Sequence, residues 1–332
     1  MQAKLQARYA QRGAVPEAVI EAVQFEVPAL QAGQVLLEVM AAPINPSDVL
    51  TLTGQYGSLP PLPAVGGNEG VGRVIERGPD TDSIALGQVV LLPVGSGTWT
   101  THMVADAARL IALPDVADYA QLSMLAVNPP TAALLLSDFV ALQPGDWIIQ
   151  NAANSAVGSY VIQLAALRGI RTINVVRRAS AVAGVEMLGG DVVLVDGDDL
   201  AARVKAATEG AAIKLAIDAV GGASTRRLAS TLAESATVVT YGALSGAPSE
   251  LSARDLVFND VTAKGFWLAR WFRTTSPAQQ AKLFAELAGL VAEGKLSAPI
   301  EASYDLSRIK EAVAAAAKGE RGGKILLVPN HY

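Results

Sequence analysis

The chain has 332 residues, 51% of them hydrophobic and 17% charged, with a formal charge of −5 and no cysteine. The length suggests about two domains, and the composition excludes an intrinsically disordered chain. The missing cysteine excludes disulfides, thiolate-bound zinc and a cysteine nucleophile, and the net negative charge argues against general nucleic-acid binding.

The opening segment, MQAKLQARYAQRG, is basic and free of acids. That raises a transit peptide, but its pattern fits an opening strand better, and a bacterial-type cytoplasmic location is expected. No apolar run approaches the roughly 18 residues of a membrane span. The two histidines, His102 and His331, lie far apart in sequence. His102 reads as a strand-edge residue and His331 as tail, so a metal site would rest on carboxylates, and none is expected. The composition points to an intracellular enzyme that borrows its reactivity from a cofactor.

The first 120 residues are rich in short strand-like runs, QVLLEVMAAPI, GVGRVIE and GQVVLLPV, punctuated by Gly, Pro and Asp. They predict a mostly β domain. From about residue 122 a helical stretch, PPTAALLLSDFVAL, leads into DWIIQNA, and strand and helix patterns then alternate through RTINVV, DVVLVD, IKLAIDAV and ATVVTYG. Short buried strands separated by helices predict an α/β fold with a parallel sheet covered on both faces. A sixth strand is predicted at TAKGFWL, and alternation along it would put Phe266 and Trp267 on opposite faces. Two helices, PAQQAKLFAELAGLVAEG and LSRIKEAVAAAAKG, and the strand KILLV follow.

DWIIQNA runs through ANSAVG into an apolar helix, the position of a dinucleotide-binding turn. Of the G-x-G-x-x-G fingerprint only Gly158 survives, with Ala153 and Ser155 at the other two positions. Both are small enough for backbone to approach a pyrophosphate, and the helix start offers N–H groups and a positive dipole end. An ordinary strand–helix turn is the alternative. After TINVV an NAD site would favour a carboxylate; Arg177 and Arg178 stand there instead. Paired guanidinium donors suit a 2′-phosphate and select NADPH over NADH, unless the two arginines merely begin a solvated helix.

Together these features resemble the medium-chain dehydrogenase/reductase superfamily, and within it the zinc-independent mitochondrial-type trans-2-enoyl-CoA (enoyl thioester) reductases and their bacterial relatives. The resemblance is carried by AAPINPSDVLTLTGQYGSLPPLPAVGGNEGVG, LAVNPPTAALLLSDFVALQPGDWIIQNAANSAVG, RTINVVRR and KGFWLARW, and extends to GGKILLV. It implies a GroES-like catalytic domain over 1–121 and 269–332, a Rossmann NADPH-binding domain over 122–268, and a homodimer. In zinc-dependent members a cysteine ligand matches Asn45 and a histidine ligand matches Asn68; a third ligand position is Val127. Amides and an aliphatic side chain make a poor zinc site, and Glu69 is expected to support that corner through hydrogen bonds.

The implied activity is NADPH-dependent reduction of the C=C bond of 2-enoyl thioesters, carried by CoA or by acyl carrier protein. Tyr56 matches the family's proton donor, and a phenol remains protonated at neutral pH. Trp267 matches an active-site tryptophan. Asn45 and Thr131 are implied beside the nicotinamide and substrate carbonyl. Asn154, Ser155, Val157 and Gly158 are implied as the pyrophosphate cradle. Tyr241 and Gly242 end a strand at the carboxyl edge, where cofactors bind in open sheets. Phe266 and Lys324 are further cofactor candidates, Lys324 through a phosphate unless it is merely solvated. Asn68, Trp271 and Arg270 are substrate-side candidates, and Arg273 could join Arg270 in meeting an anionic carrier. The same-fold rival is an NADPH:quinone oxidoreductase or general enone reductase; a non-enzymatic NADPH-binding protein is the rival from another class.

Overall fold

The structure is a computed structural model that describes residues 3–114, 118–319 and 321–329; His331 lies outside them. Among the described residues no helix is long and apolar enough to cross a membrane. The chain divides into two compact units, Met1–Val127 with Pro277–Tyr332, and Asn128–Ser276.

Unit one contains β1 (Leu5–Tyr9), β2 (Ile20–Gln24), β3 (Gln34–Ile44), β4 (Ala64–Val65), β5 (Val71–Arg77), β6 (Val89–Leu91), β7 (His102–Asp106) and β8 (Ile111–Ala112). The long apolar run of β3 is explained by its neighbours: it pairs antiparallel with β5 on one side and with β7 on the other over its first half. The glycine pair Gly66–Gly67 is dictated by Trp99. A Cβ on Gly66 would lie 2.3 Å from the indole, one on Gly67 2.5 Å from it, and Gly67 has φ +99°. Buried Trp99, whose indole N–H donates to Pro43 O at 3.2 Å, thereby fixes the turn that presents Asn68 and Glu69.

Unit two holds β9 (Trp147–Gln150), β10 (Arg171–Val176), β11 (Val192–Val195), β12 (Ile213–Asp218), β13 (Thr237–Thr240) and β14 (Thr262–Gly265). All six are parallel, in the order β11-β10-β9-β12-β13-β14. Ile149, Ile173, Val175, Ala216 and Val238 build the core on one face with helix residues Leu200, Val204 and Leu228. β14 is shorter than the run TAKGFWL predicts. It stops at Gly265, and Trp267 is the N-cap of a helix over Leu268–Thr274. Strand alternation therefore does not govern Phe266 and Trp267, and residues 269–276 belong to this unit.

The last strands, β15 (Ile300–Tyr304) and β16 (Lys324–Leu327), return to unit one. β16 pairs antiparallel with β3, with Ile325 opposite Ile44. That register brings Lys324 to Asn45. The helix Ile309–Ala317 buries Ile309, Ala312, Val313 and Ala316 in the same core as Trp99 and Leu52, which accounts for its alanine run by packing and helix propensity.

Candidate active site

In unit one the site residues surround a short helix, Pro46–Thr53, that begins at NPSD. Pro46 suits its first position, and Asn45 N–H donates back to Asp48 Oδ2 at 2.7 Å, so the acid at the third helical position caps the helix. The helix ends at Gly54 in the left-handed conformation, φ 79°. Gln55 and Tyr56 N–H groups both donate to Leu50 O, at 2.8 and 3.2 Å, so Tyr56 leaves the helix end on a fixed backbone. Its side chain is half-buried.

Asn45 is buried and its amide is held from both ends. Its Nδ2 donates to Glu69 Oε1 at 2.6 Å, and its Oδ1 accepts from the Lys324 ammonium. Lys324 also donates to Ile44 O at 3.4 Å. Glu69 accepts from Val127 N–H at 2.9 Å through its other oxygen. Asn68 Nδ2 donates to Asp48 Oδ1 at 2.6 Å. Burial drives all three ionisable groups toward neutrality. It pushes the Asp48 carboxyl up to about 6 and raises Glu69, against the opposing pull of the Lys324 charge. It lowers Lys324, against the pull of the two carboxylates.

One expectation changes here. Lys324 is not merely solvated: it is buried and its ammonium is held by Asn45 and Ile44 O. Asn68, half-buried, spends its Nδ2 on Asp48. The family's zinc also fails to fit. Asn45, Asn68 and Val127 stand at the three ligand positions, and an ammonium already occupies the corner as its cation. Among the described residues no group of three His, Cys, Asp or Glu side chains comes together to hold a metal.

In unit two the dinucleotide turn runs from the end of β9 into the helix Ala156–Leu167. Ser155 is the N-cap, its hydroxyl accepting from Gly158 N–H at 3.1 Å. A Cβ at Gly158 would lie 2.5 Å from Ala153 O, so the helix packs as closely on the turn as the third fingerprint glycine requires. The Ser155 side chain also hydrogen-bonds Tyr241, whose phenol burial raises further above its ordinary value. Gly242 approaches Ala219 O closely; a Cβ there would lie 2.8 Å away. Val157 is buried in the first helical turn, and Asn154 is half-buried in the turn itself. Arg177 and Arg178 directly follow the last residue of β10. Thr131 is buried in the helix Asn128–Leu135. The close turn, the N-capped helix start and the two guanidinium groups fit an NADPH phosphate chain and its 2′-phosphate.

Trp267 carries the Arg273 guanidinium over its ring at 4.8 Å. Phe266 stacks edge-on against Phe139 at 6.0 Å. Trp271 packs edge-on against Phe272 at 5.4 Å, and Arg270 is exposed on the same helix.

Sequence reasoning missed a buried polar hub beneath the turn. Asp218, fully buried at the end of β12, accepts through one oxygen from Asn151 Nδ2 at 2.7 Å, Val220 N–H at 3.0 Å and Gly221 N–H at 3.1 Å. Through the other it accepts from the hydroxyls of Thr225 at 2.7 Å and Thr240 at 3.0 Å. It ties together the carboxyl ends of β9, β12 and β13, where an open α/β sheet binds its ligand. Its only signal in the sequence was an acid ending an apolar strand before a glycine pair.

The family descriptions agree with this geometry. Residues 31–115 match the alcohol dehydrogenase GroES-like domain, and residues 156–286 match the zinc-binding dehydrogenase family. The chain is 38% identical over 309 residues, 91% of its length and 83% of the relative's, to the mitochondrial enoyl-[acyl-carrier-protein] reductase of Rattus norvegicus. Among solved structures, Etr1p, seen in complex with NADP and crotonyl-CoA, is 28% identical with a TM-score of 0.88 over 99% of this chain and 100% of its own. A Candida tropicalis structure of it is an Etr1p/Etr2p heterodimer of 2-enoyl thioester reductase, with a TM-score of 0.89 at the same identity and coverage. A structure described as a putative NADPH:quinone reductase of Bacillus thuringiensis is also 28% identical, with a TM-score of 0.89 over 99% of each chain.

The relatives correct the expected location. Relatives 36–40% identical, among them those of rat, mouse, human and Arabidopsis thaliana, are mitochondrial proteins, which points away from a bacterial-type cytoplasmic setting. The chain belongs to the enoyl-[acyl-carrier-protein] reductases of the medium-chain dehydrogenase/reductase superfamily.

Proposed function

We propose that this chain reduces the C=C bond of 2-enoyl thioesters with NADPH. The observation that carries the reading is the 38% identity to an enoyl-[acyl-carrier-protein] reductase over 91% of the chain. Bound to the dinucleotide turn, NADPH supplies the hydride that adds to the β carbon of the substrate. The turn at Asn154–Gly158 holds the phosphate chain, and Arg177 and Arg178 select the 2′-phosphate by charge and paired donors. As that hydride bonds to the β carbon, the C=C π pair moves onto the α carbon and thioester oxygen, and Tyr56 donates its phenolic proton to the α carbon of the resulting enolate. Asn45, locked between Lys324 and Glu69, keeps one amide orientation and a polar wall without a Lewis acid. Trp267, stiffened by Arg273 across its ring, shapes the substrate side, and Arg270 and Arg273 offer positive charge to a CoA or acyl-carrier phosphate.

A homodimer is part of this reading. Its support is β14, a sheet edge paired among the described residues only to β13, with all four residues exposed. Val257 and Phe258, 70% and 79% exposed, precede it, and an open edge beside apolar side chains invites a symmetric partner. Light scattering after size exclusion measures this.

The Bacillus likeness keeps quinone reduction as the competing substrate class. NADPH oxidation measured side by side with crotonyl-CoA and with a quinone decides between them. The enoyl thioester is expected to give the higher kcat/KM; a clear preference for quinone rejects the reading, and cofactor binding without turnover on any unsaturated carbonyl assigns a non-catalytic role.

A further inference from the structure

The loop that carries Tyr56 has little structure of its own. Residues 57–63 are all exposed and belong to no helix or strand. Pro60, Pro61 and Pro63 stiffen the segment internally, but stiffness alone does not aim it. What it rests on comes from the other end of the unit, the short stretch that follows β1.

Arg12 touches this loop at both sides of Tyr56. On the near side its Cδ lies 3.3 Å from where a Cβ of Gly54 would stand, so its stem runs along the glycine that ends the helix. On the far side its Nη2 donates to Pro60 O. The adjoining Gly13 N–H donates to Leu52 O at 3.1 Å, which docks the same stretch on the last turn of the helix. Arg12 also buries its Nε without an acceptor among the described residues, a cost that burial of a polar group imposes. A side chain held under that cost, its stem at one end of a seven-residue span and its guanidinium at the other, sets the position of whatever lies between.

We propose that Arg12 is a positioning residue that aims Tyr56, a role that rests on Tyr56 being the proton donor of the reading above. Arg12 touches no substrate in this account; it acts through the loop. Misplacing a reacting group by about 1 Å is enough to cost on the order of 100-fold in rate, so the effect should appear in kcat rather than in cofactor binding.

The test is a double-mutant cycle with a 2-enoyl-CoA substrate, read as kcat, KM and the dissociation constant for NADPH. Arg12→Ala is expected to lower kcat by about 10-fold or more with NADPH affinity unchanged. Arg12→Lys, which keeps the stem and a donor of similar reach, recovers most of the loss. In a Tyr56→Phe background the same Arg12→Ala change costs nothing further, because residues that act as a unit are not additive. An equal loss in both backgrounds overturns the proposal, as does full turnover of Arg12→Ala where Tyr56→Phe is impaired. If Tyr56→Phe itself keeps full turnover, the proton-donor reading fails first and takes this role with it. Should Arg12→Ala not fold, Arg12→Gln replaces it, keeping the stem beside Gly54 but too short to hold Pro60; wild-type kcat in that variant also overturns the proposal.

Discussion

The two units bury their carboxylates in opposite ways. In unit one, Glu69 and Asp48 share a corner with the Lys324 ammonium, and charge is set against charge across bridging amides. In unit two, Asp218 forms no ion pair among the described residues and is satisfied instead by five neutral donors, two hydroxyls, two backbone N–H groups and an amide. A charge balanced by another charge is hostage to its partner, whereas one spread over many weak donors loses only a fraction when any of them goes. The ion-balanced corner should therefore be the more fragile of the two, and its stability should depend on pH.

The sharpest way to break that contrast is Lys324→Met. Removing one partner of a buried pair leaves an uncompensated charge and costs about 3–5 kcal/mol, read as a fall in the denaturation midpoint. The loss should depend on pH with a definite sign. The folded Asp48 is raised from 3.8 to about 6, so its contribution is present below the unfolded value and lost as pH rises through the folded one. Glu69 is raised in the same direction. Without Lys324 both folded values rise further, so the gap between wild type and variant widens from acid toward neutral pH. A gap that is constant across that range would show that Lys324 does not compensate these carboxylates.

Asp218→Asn tests the other side. One acceptor oxygen remains, and the hydroxyls of Thr225 and Thr240 can rotate to accept, so the expected loss is about 1–3 kcal/mol, read as a fall in the denaturation midpoint. A larger loss than that of Lys324→Met would reverse the comparison. The smallest expected effect concerns the cofactor side alone. Replacing Arg177 and Arg178 together by Gln should weaken NADPH binding by about 10–100-fold, the worth of charge-assisted hydrogen bonds. NADH affinity and the thermal midpoint should stay where they are. Titration of both nucleotides by fluorescence separates this from a general collapse of the turn.

How much of this was legible beforehand follows from what each feature depends on. The parallel strands announced themselves because sheets covered on both faces need continuous apolar runs, and RTINVV and IKLAID supply them. The end of β14 was misjudged because FWL has the composition of a strand. The following residues LARWFRT can form a helix, and capping at Trp267 ended the extended run. Arg177 and Arg178 were visible because their place after β10 is a local fact. The Lys324–Asn45 contact was not, since it joins residues 279 apart through one strand register, Ile325 against Ile44. Nothing in the letters GGKILLV sets that register. Trp99, likewise, explains the glycines at 66 and 67 only once the chain has folded back on itself.

The ammonium in the corner has a bearing on protein redesign. Converting Asn45 and Asn68 to sulfur and imidazole donors would rebuild part of a metal-binding set on a backbone shaped to present it. The incoming divalent ion would then meet a resident positive charge at closest range, held there by the very strand pairing that completes the sheet. Any attempt to turn this scaffold into a metalloenzyme has to begin at position 324, not at the ligands.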